Sequence, residues 1–301
     1  AKTLHHEKLS EIEVDALEEE EVSTGAISTK LAEAYSLFVG GRYSDSEKLL
    51  KSEETWLKEH IFSYFENIEQ FSWSTVNKKP YDFLMEKIVK KPQSSFAMDF
   101  GSIVHNALDK IKKCQAKLED YTEENEVKSI KNGLDALEKI KNEHPGFKLK
   151  ETELTVKLPV KSLVDYSEKD NLMFSGKIDA VFEHDEGVIL IDYKTSRNMN
   201  DVSDYKRQLA VYKKMYSINN DIAEEKIKTC VIFVSLRSGI NTGNWDCSIE
   251  YGTRKVFATF EKHFQKLLVW KKNPEEFIKE LVNQKTENIL HETIKDKLSQ
   301  T

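Results

Sequence analysis

Asp179, Asp192 and Lys194 are the side chains whose types and spacing could do chemistry. Asp179 lies in the run GKIDAVFEH, and Asp192 and Lys194 end the run GVILIDYK. Two carboxylates brought together raise each other's pKa and resist joint ionisation. A hard divalent cation resolves that conflict, because Mg²⁺ favours oxygen ligands from one or two carboxylates together with water and phosphate. A lysine beside them can orient or deprotonate an attacking water, or stabilise charge on a phosphorane. Its ordinary pKa of about 10.4 means that a base role needs a strong downward shift.

The flanking pattern places these residues. LMFSGKIDAVFEH and GVILIDYKTS read as two strands joined by a charged, Gly-containing turn at His184–Gly187. Period-two alternation puts Asp192 and Lys194 on one face and Tyr193 on the other, and a tight hairpin can bring Asp179 alongside. The run Val188-Ile189-Leu190-Ile191 is apolar at every position, which fits a strand covered on both faces and argues against a solvated hairpin laced by surface ion pairs. A further strand is expected over Glu151–Val160, another over KTCVIFVSL, and a weaker one around Trp245–Ile249. Helices are expected over 26–70 with a break at Gly40–Arg42, between Pro80 and Pro92, at about Met98–Leu118, Glu123–Asn142, Asp201–Tyr216 and Thr253–Trp270, and as one helix over Pro274–Lys297. Helices followed by strand, strand, strand, helix, strand imply an α/β arrangement, a mixed central sheet flanked by helices with a helical extension before it. Residues 1–22 are acidic and weakly periodic, and read as a lead-in.

Two further spacings accompany this core. Gly101-Ser102-Ile103-Val104-His105 lies on the helix upstream of the strands, and Gln208 and Tyr212 are four apart on the helix downstream, hence on one helix face. Taken together, GKIDAVF…VILIDYKTS, the G-x-x-x-H helix and the Q-x-x-x-Y helix resemble the PD-(D/E)XK nuclease superfamily, in its RecB-like branch. The resemblance runs from roughly Phe71 to Trp270 and implies a restriction-endonuclease-like core. It makes Asp179 the first acid, Asp192 and Lys194 the acid–X–Lys triplet, and Gln208 and Tyr212 supports for the lysine and the DNA. It makes His105, Asp179 and Asp192 ligands of Mg²⁺ or Mn²⁺, with the Tyr193 carbonyl as another, and Glu153 an accessory acid, although Glu151 has the same parity. The implied division is an acidic lead-in and helical extension over 1–70 and a nuclease domain over 71–301. The implied activity is a metal-dependent deoxyribonuclease, an exonuclease acting on single strands or duplex ends. A superfamily I helicase region in cis or in trans is the expected partner. A free-standing or Cas4-like exonuclease and a non-catalytic DNA-binding scaffold are the other readings.

Composition bounds these expectations. The 301 residues are 39% hydrophobic and 32% charged, with enough apolar material for a sizeable core. No apolar run approaches the roughly 20 residues of a membrane helix, and the first residues form no apolar signal core, so a cytoplasmic protein is expected. Cys114, Cys230 and Cys247 are too few and too scattered for a disulfide framework or a four-thiolate iron–sulfur cluster, so no such cluster is expected. No G-x-x-x-x-G-K-[ST] sequence is present, which excludes a P-loop motor within this chain. The formal net charge of -7 gives no general attraction for a polyanion. Binding to DNA would need a local groove, for which Lys194, Arg197, Arg207 and Lys213 are the candidates, with Tyr212 as a stacking surface.

Overall fold

The computed structural model describes residues 26–51, 56–76, 78–89, 96–166, 171–236, 246–250, 254–285 and 288–299. The acidic lead-in over 1–22 lies outside them. In chain order the first elements are α1 (Ala26–Val39), α2 (Tyr43–Lys51), α3 (Trp56–Asn67), β1 (Gln70–Ser72) and α4 (Pro80–Phe83), which widens into a π-turn at Leu84–Ile88. Next come α5 (Phe96–Lys112), α6 (Glu124–Glu143), β2 (Lys148–Pro159), β3 (Met173–His184), β4 (Gly187–Lys194) and α7 (Val202–Asn220). The chain continues through β5 (Ile227–Phe233), β6 (Asp246–Glu250), α8 (Arg254–Lys272), α9 (Pro274–Asn283) and α10 (Ile289–Ser299).

Two compact units form. The first takes the described residues of the stretches 26–67, 78–89 and 269–299, and the second takes those of 68–76 and 96–268. Helices on either side of position 70 therefore share the first unit. Its core is aromatic: Phe65 stacks on Phe83 at 5.8 Å, and Trp270 lies 5.5 Å from Phe83 and 5.0 Å from Phe277, edge to face. Such pairs add about 0.5–1.5 kcal/mol each beyond the area they bury. The single helix expected over Pro274–Lys297 is two helices. Gln284 leaves helical geometry at ψ 124, and its side chain accepts the Tyr81 N–H at 3.0 Å. Asn288 then restarts the helix, its Oδ1 accepting the His291 N–H at 3.2 Å in the manner of an N-cap. Local bonding offered by Asn and Gln overrides the helical period here.

The second unit holds a mixed sheet, as the alternation implied, with β1 as a sixth strand beside the five expected. β2 runs antiparallel to β3 along nearly its whole length. On the other edge of β3 lie β1, parallel at Gln70–Ser72, and β4, antiparallel from Ala180 to His184. β5 is parallel to β4, and β6 is antiparallel to β5. One face of the sheet carries α5 and α6, with Val104, Leu108, Ile130 and Leu137 packed on Ile189, Ile191, Tyr193 and Ile232. α7 covers the other: its Tyr205 lies against Phe233, the neighbour of Ile232 with opposite parity. Cover on both faces explains why every residue of β5 is buried.

Candidate metal centre and its surroundings

The site sits where β3 and β4 part. Their ladder runs from His184↔Gly187 as far as Ala180↔Ile191 and stops one residue short of Asp179. The Asp179 carboxylate takes over where the ladder ends, accepting the Tyr193 N–H at 2.7 Å. Alternation turns Asp192 and Lys194 to the α7 face, while His105 arrives from α5 on the other, packing its ring 6.0 Å from Tyr193. The fork lets side chains from both layers meet. His105 Nδ1 lies 3.4 Å from Asp179 Oδ2.

Glu153 completes the cluster from β2. Its position falls opposite Asp179, between the pairs Thr152↔Ala180 and Leu154↔Ile178. Its φ is 56°, a left-handed conformation inside a strand. Such backbone costs an L-residue about 1–2 kcal/mol and gathers at functional sites. His105, Glu153 and Asp179 each offer a ligand atom, and these atoms lie within 4.8 Å of one another. Among the described residues this is the group of His, Cys, Asp and Glu with metal-ligand spacing. One imidazole and two carboxylates suit Mn²⁺ and tolerate Mg²⁺. Glu151, the other accessory acid considered, is exposed opposite Val181 and stands outside this group. The Glu153 carboxylate pairs with Lys177.

Asp192 is held differently. It is 4% exposed, and Lys194 Nζ lies 2.9 Å from Oδ1 and 2.8 Å from Oδ2. Oδ2 is buried without a well-angled hydrogen bond, so one coordination direction of this carboxylate is unspent. Burial pushes the Asp192 carboxyl up to about 6, against the downward pull of Lys194. For Lys194 burial disfavours the ammonium, but Asp192 outweighs it and holds the pKa above the ordinary lysine range. The same balance acts at Asp179. Burial alone would raise its pKa, yet the His105 contact, Lys194 and the Tyr193 N–H hold the carboxylate ionised. His105 is held above its ordinary value, its burial being outweighed by the Asp179 bond and charge.

The two helical spacings play packing roles around this centre. A Cβ on Gly101 would lie 3.3 Å from Thr195 Oγ1, so the glycine lets α5 approach the end of β4 and sets the height of His105. A Cβ on Gly176 would lie 2.2 Å from Tyr212 Cε1, so the Tyr212 ring occupies the space that glycine leaves. Gln208 Nε2 donates to the Tyr212 hydroxyl at 3.0 Å. Tyr212 is 4% exposed, which rules out the expected stacking surface for a base. Lys213, expected in a DNA groove, is also 4% exposed; burial lowers its pKa against the pull of Glu224 and Glu225. Arg207 donates to Asp204 at 3.0 Å. The signals for these residues were a cluster of basic side chains in sequence and the spacing of four between Gln208 and Tyr212, and neither says which side of α7 meets the sheet.

A cavity of about 710 Å³ opens beside the centre. His105, Lys194 and Tyr205 line it on the inside, and Lys128, Asn125 and Arg197 carry it towards the surface. Lys128 and Tyr205 were not legible as site residues, because nothing in their local spacing marks them. Cys114 is exposed and Cys230 lies in the core.

No helix is long and apolar enough to cross a membrane among the described residues. No curated protein matches this chain. A solved structure described as "Crystal structure of SSO0001" is similar, at 16% sequence identity and a TM-score of 0.35, over 73% of this chain and 88% of that one. The family model of the PD-(D/E)XK nuclease superfamily matches residues 72–297, a span that contains every residue of the fork. With that match over more than half its length, this chain belongs to the PD-(D/E)XK nuclease superfamily.

Proposed function

We propose that this protein is a metal-dependent DNA nuclease that hydrolyses phosphodiester bonds by water attack. The observation that carries the reading is the His105–Glu153–Asp179 cluster beside the buried Asp192–Lys194 pair. In this reading His105, Glu153 and Asp179 hold Mg²⁺ or Mn²⁺, and Asp192 and the Tyr193 carbonyl add to the set. A divalent cation supplies Lewis acidity towards the phosphoryl oxygen and a more acidic water.

The side chains supply the rest. Asp179 stays ionised and ties the β4 backbone to the α5 histidine. Lys194 stays an ammonium, so its role is to orient the water and stabilise charge developing on phosphorus rather than to act as base. Gln208 and Tyr212 act from behind, keeping α7 seated on Gly176.

The finer reading is a RecB-like exonuclease working in DNA repair or recombination beside a superfamily I helicase region. It is supported by the residues at Gly101, His105, Gln208 and Tyr212, each of which packs at or around the fork. The decisive assay uses end-labelled single-stranded and duplex DNA alongside a circular substrate. Cleavage is expected with Mn²⁺ or Mg²⁺, with none in excess EDTA. Activity that persists in excess chelator would defeat the metal mechanism. Cleavage of the circle would defeat the exonuclease assignment alone.

A further inference from the structure

Tyr205 stands against the Lys194 ammonium without belonging to any motif. It lies in the first turn of α7, where its backbone N–H bonds the Asp201 carbonyl at 3.1 Å. Its ring rests 6.0 Å from that of Phe233 and forms a wall of the cavity that Lys194 also lines. Lys194 Nζ lies 4.6 Å from the ring centroid.

We propose that Tyr205 is a positioning residue for Lys194, holding its ammonium over the ring face by cation–π attraction. The role in turnover rests on the nuclease reading above, in which Lys194 stabilises charge at phosphorus.

Lysine carries its charge on a flexible four-carbon stem. Among the described residues Asp192 is the carboxylate that Lys194 contacts directly, through both oxygens. That anchor is weak in one respect, because an Asp192 carboxylate that also serves a divalent cation has less charge to offer the lysine. The ring face has no such second duty. A separation of 4.6 Å is well inside the roughly 6 Å over which the ring quadrupole attracts a cation. The attraction is larger for a desolvated ammonium, and the Lys194 side chain is only 20% exposed. Contact with Phe233 and a backbone held in the first turn of α7 limit how far the ring can move with the ammonium. Ring and carboxylate therefore define one location for the charge, where a carboxylate alone would leave the stem free to swing into the cavity.

Two measurements test this, the first without metal or substrate. In metal-free protein labelled with ¹³C at lysine Cε, the Lys194 ε-methylene protons should show an upfield ring-current shift. Lys194→Ala identifies the signal. The shift should survive in Tyr205→Phe and vanish in Tyr205→Leu; its absence from the unaltered protein would overturn the proposal. The second measurement is kinetic. Tyr205→Leu should lower kcat about tenfold with KM little changed, and Tyr205→Phe should restore most of it. Should the leucine variant not fold, mono-, di- and trifluorinated phenylalanine at position 205 keep the shape and weaken the ring quadrupole stepwise. Log kcat should then fall in step with fluorination. A flat series, or a rise in KM at constant kcat, would overturn the positioning role. Unaltered protein without metal-dependent cleavage would defeat the nuclease reading, and the ring-current shift would still decide whether Tyr205 holds Lys194.

Discussion

Asp179 does three things at once: it accepts the Tyr193 N–H, meets His105 and faces Glu153 across the strands. The consequence is that Asp179→Ala, Asp192→Ala and Lys194→Ala should each lose most cleavage while circular dichroism stays that of the folded protein. His105→Ala should weaken Mn²⁺ binding by about 10-fold or more; calorimetry giving unaltered affinity would remove His105 from the ligand set. Glu153 offers a sharper case, because its left-handed backbone trades stability for placement. Glu153→Gly should leave the metal-free protein about 1 kcal/mol more stable than Glu153→Ala, and both should weaken Mn²⁺ binding. Denaturant midpoints and calorimetry on the same preparations read both effects, and equal stability of the glycine and alanine variants would show that the conformation carries no strain.

At the scale of elements, the fork between β3 and β4 depends on what seals its two sides. Tyr212 seals one by filling the space over Gly176. Gly176→Ala should therefore cost about 1–3 kcal/mol by overpacking, and pairing it with a smaller residue at 212 should recover part of the loss. Strict additivity of the two substitutions in urea unfolding would show that they do not touch. The far end of the same hairpin holds a different cluster. His144 and His184 lie 5.1 Å apart by ring centroid, with Lys228 Nζ 3.4 Å from His144 Nδ1 and 3.5 Å from Glu186. Burial and Lys228 lower the pKa of both histidines from 6.5 in the fold. A basic group with a lowered folded pKa is protonated more readily in the unfolded chain. Its contribution is complete above about pH 6.5 and is lost as pH falls below that value. Urea midpoints should drop between pH 7.5 and 5.5, and less so in a His144→Gln/His184→Gln protein. Equal slopes for the two proteins would acquit the pair.

For the whole molecule, a net charge of -7 means that the overall field repels DNA. What attracts it must be local, and among the described residues that line the cavity two cations are exposed, Lys128 from α6 and Arg197 after β4. Removing either should flatten the log–log dependence of DNA affinity on salt by roughly 0.7–0.9. Fluorescence anisotropy between 50 and 200 mM salt measures it. Lys213→Ala, by contrast, should leave that slope unchanged, since its side chain is buried in α7; a change there would show that the strand runs along the other side of the helix.

The sequence by itself determined the acid–X–Lys strand, its hairpin partner and the α/β arrangement, because alternation and apolar runs are local properties that a strand covered on both faces must display. It also carried His105, Gln208 and Tyr212, through spacings that a helix turns into shared faces. Only the tertiary structure decided where the β3–β4 ladder ends, since that depends on Asp179 replacing a backbone partner. It placed Glu153 rather than Glu151 at the cluster, because the two share parity and only the pairing register of β2 with β3 says which of them falls opposite Asp179. It moved Tyr212 and Lys213 into the interior and brought Lys128 and Tyr205 to the cavity. These placements turn on how α6 and α7 pack against the sheet. That packing is set by contacts between residues far apart in the chain, such as Gly176 with Tyr212, and no local period records it.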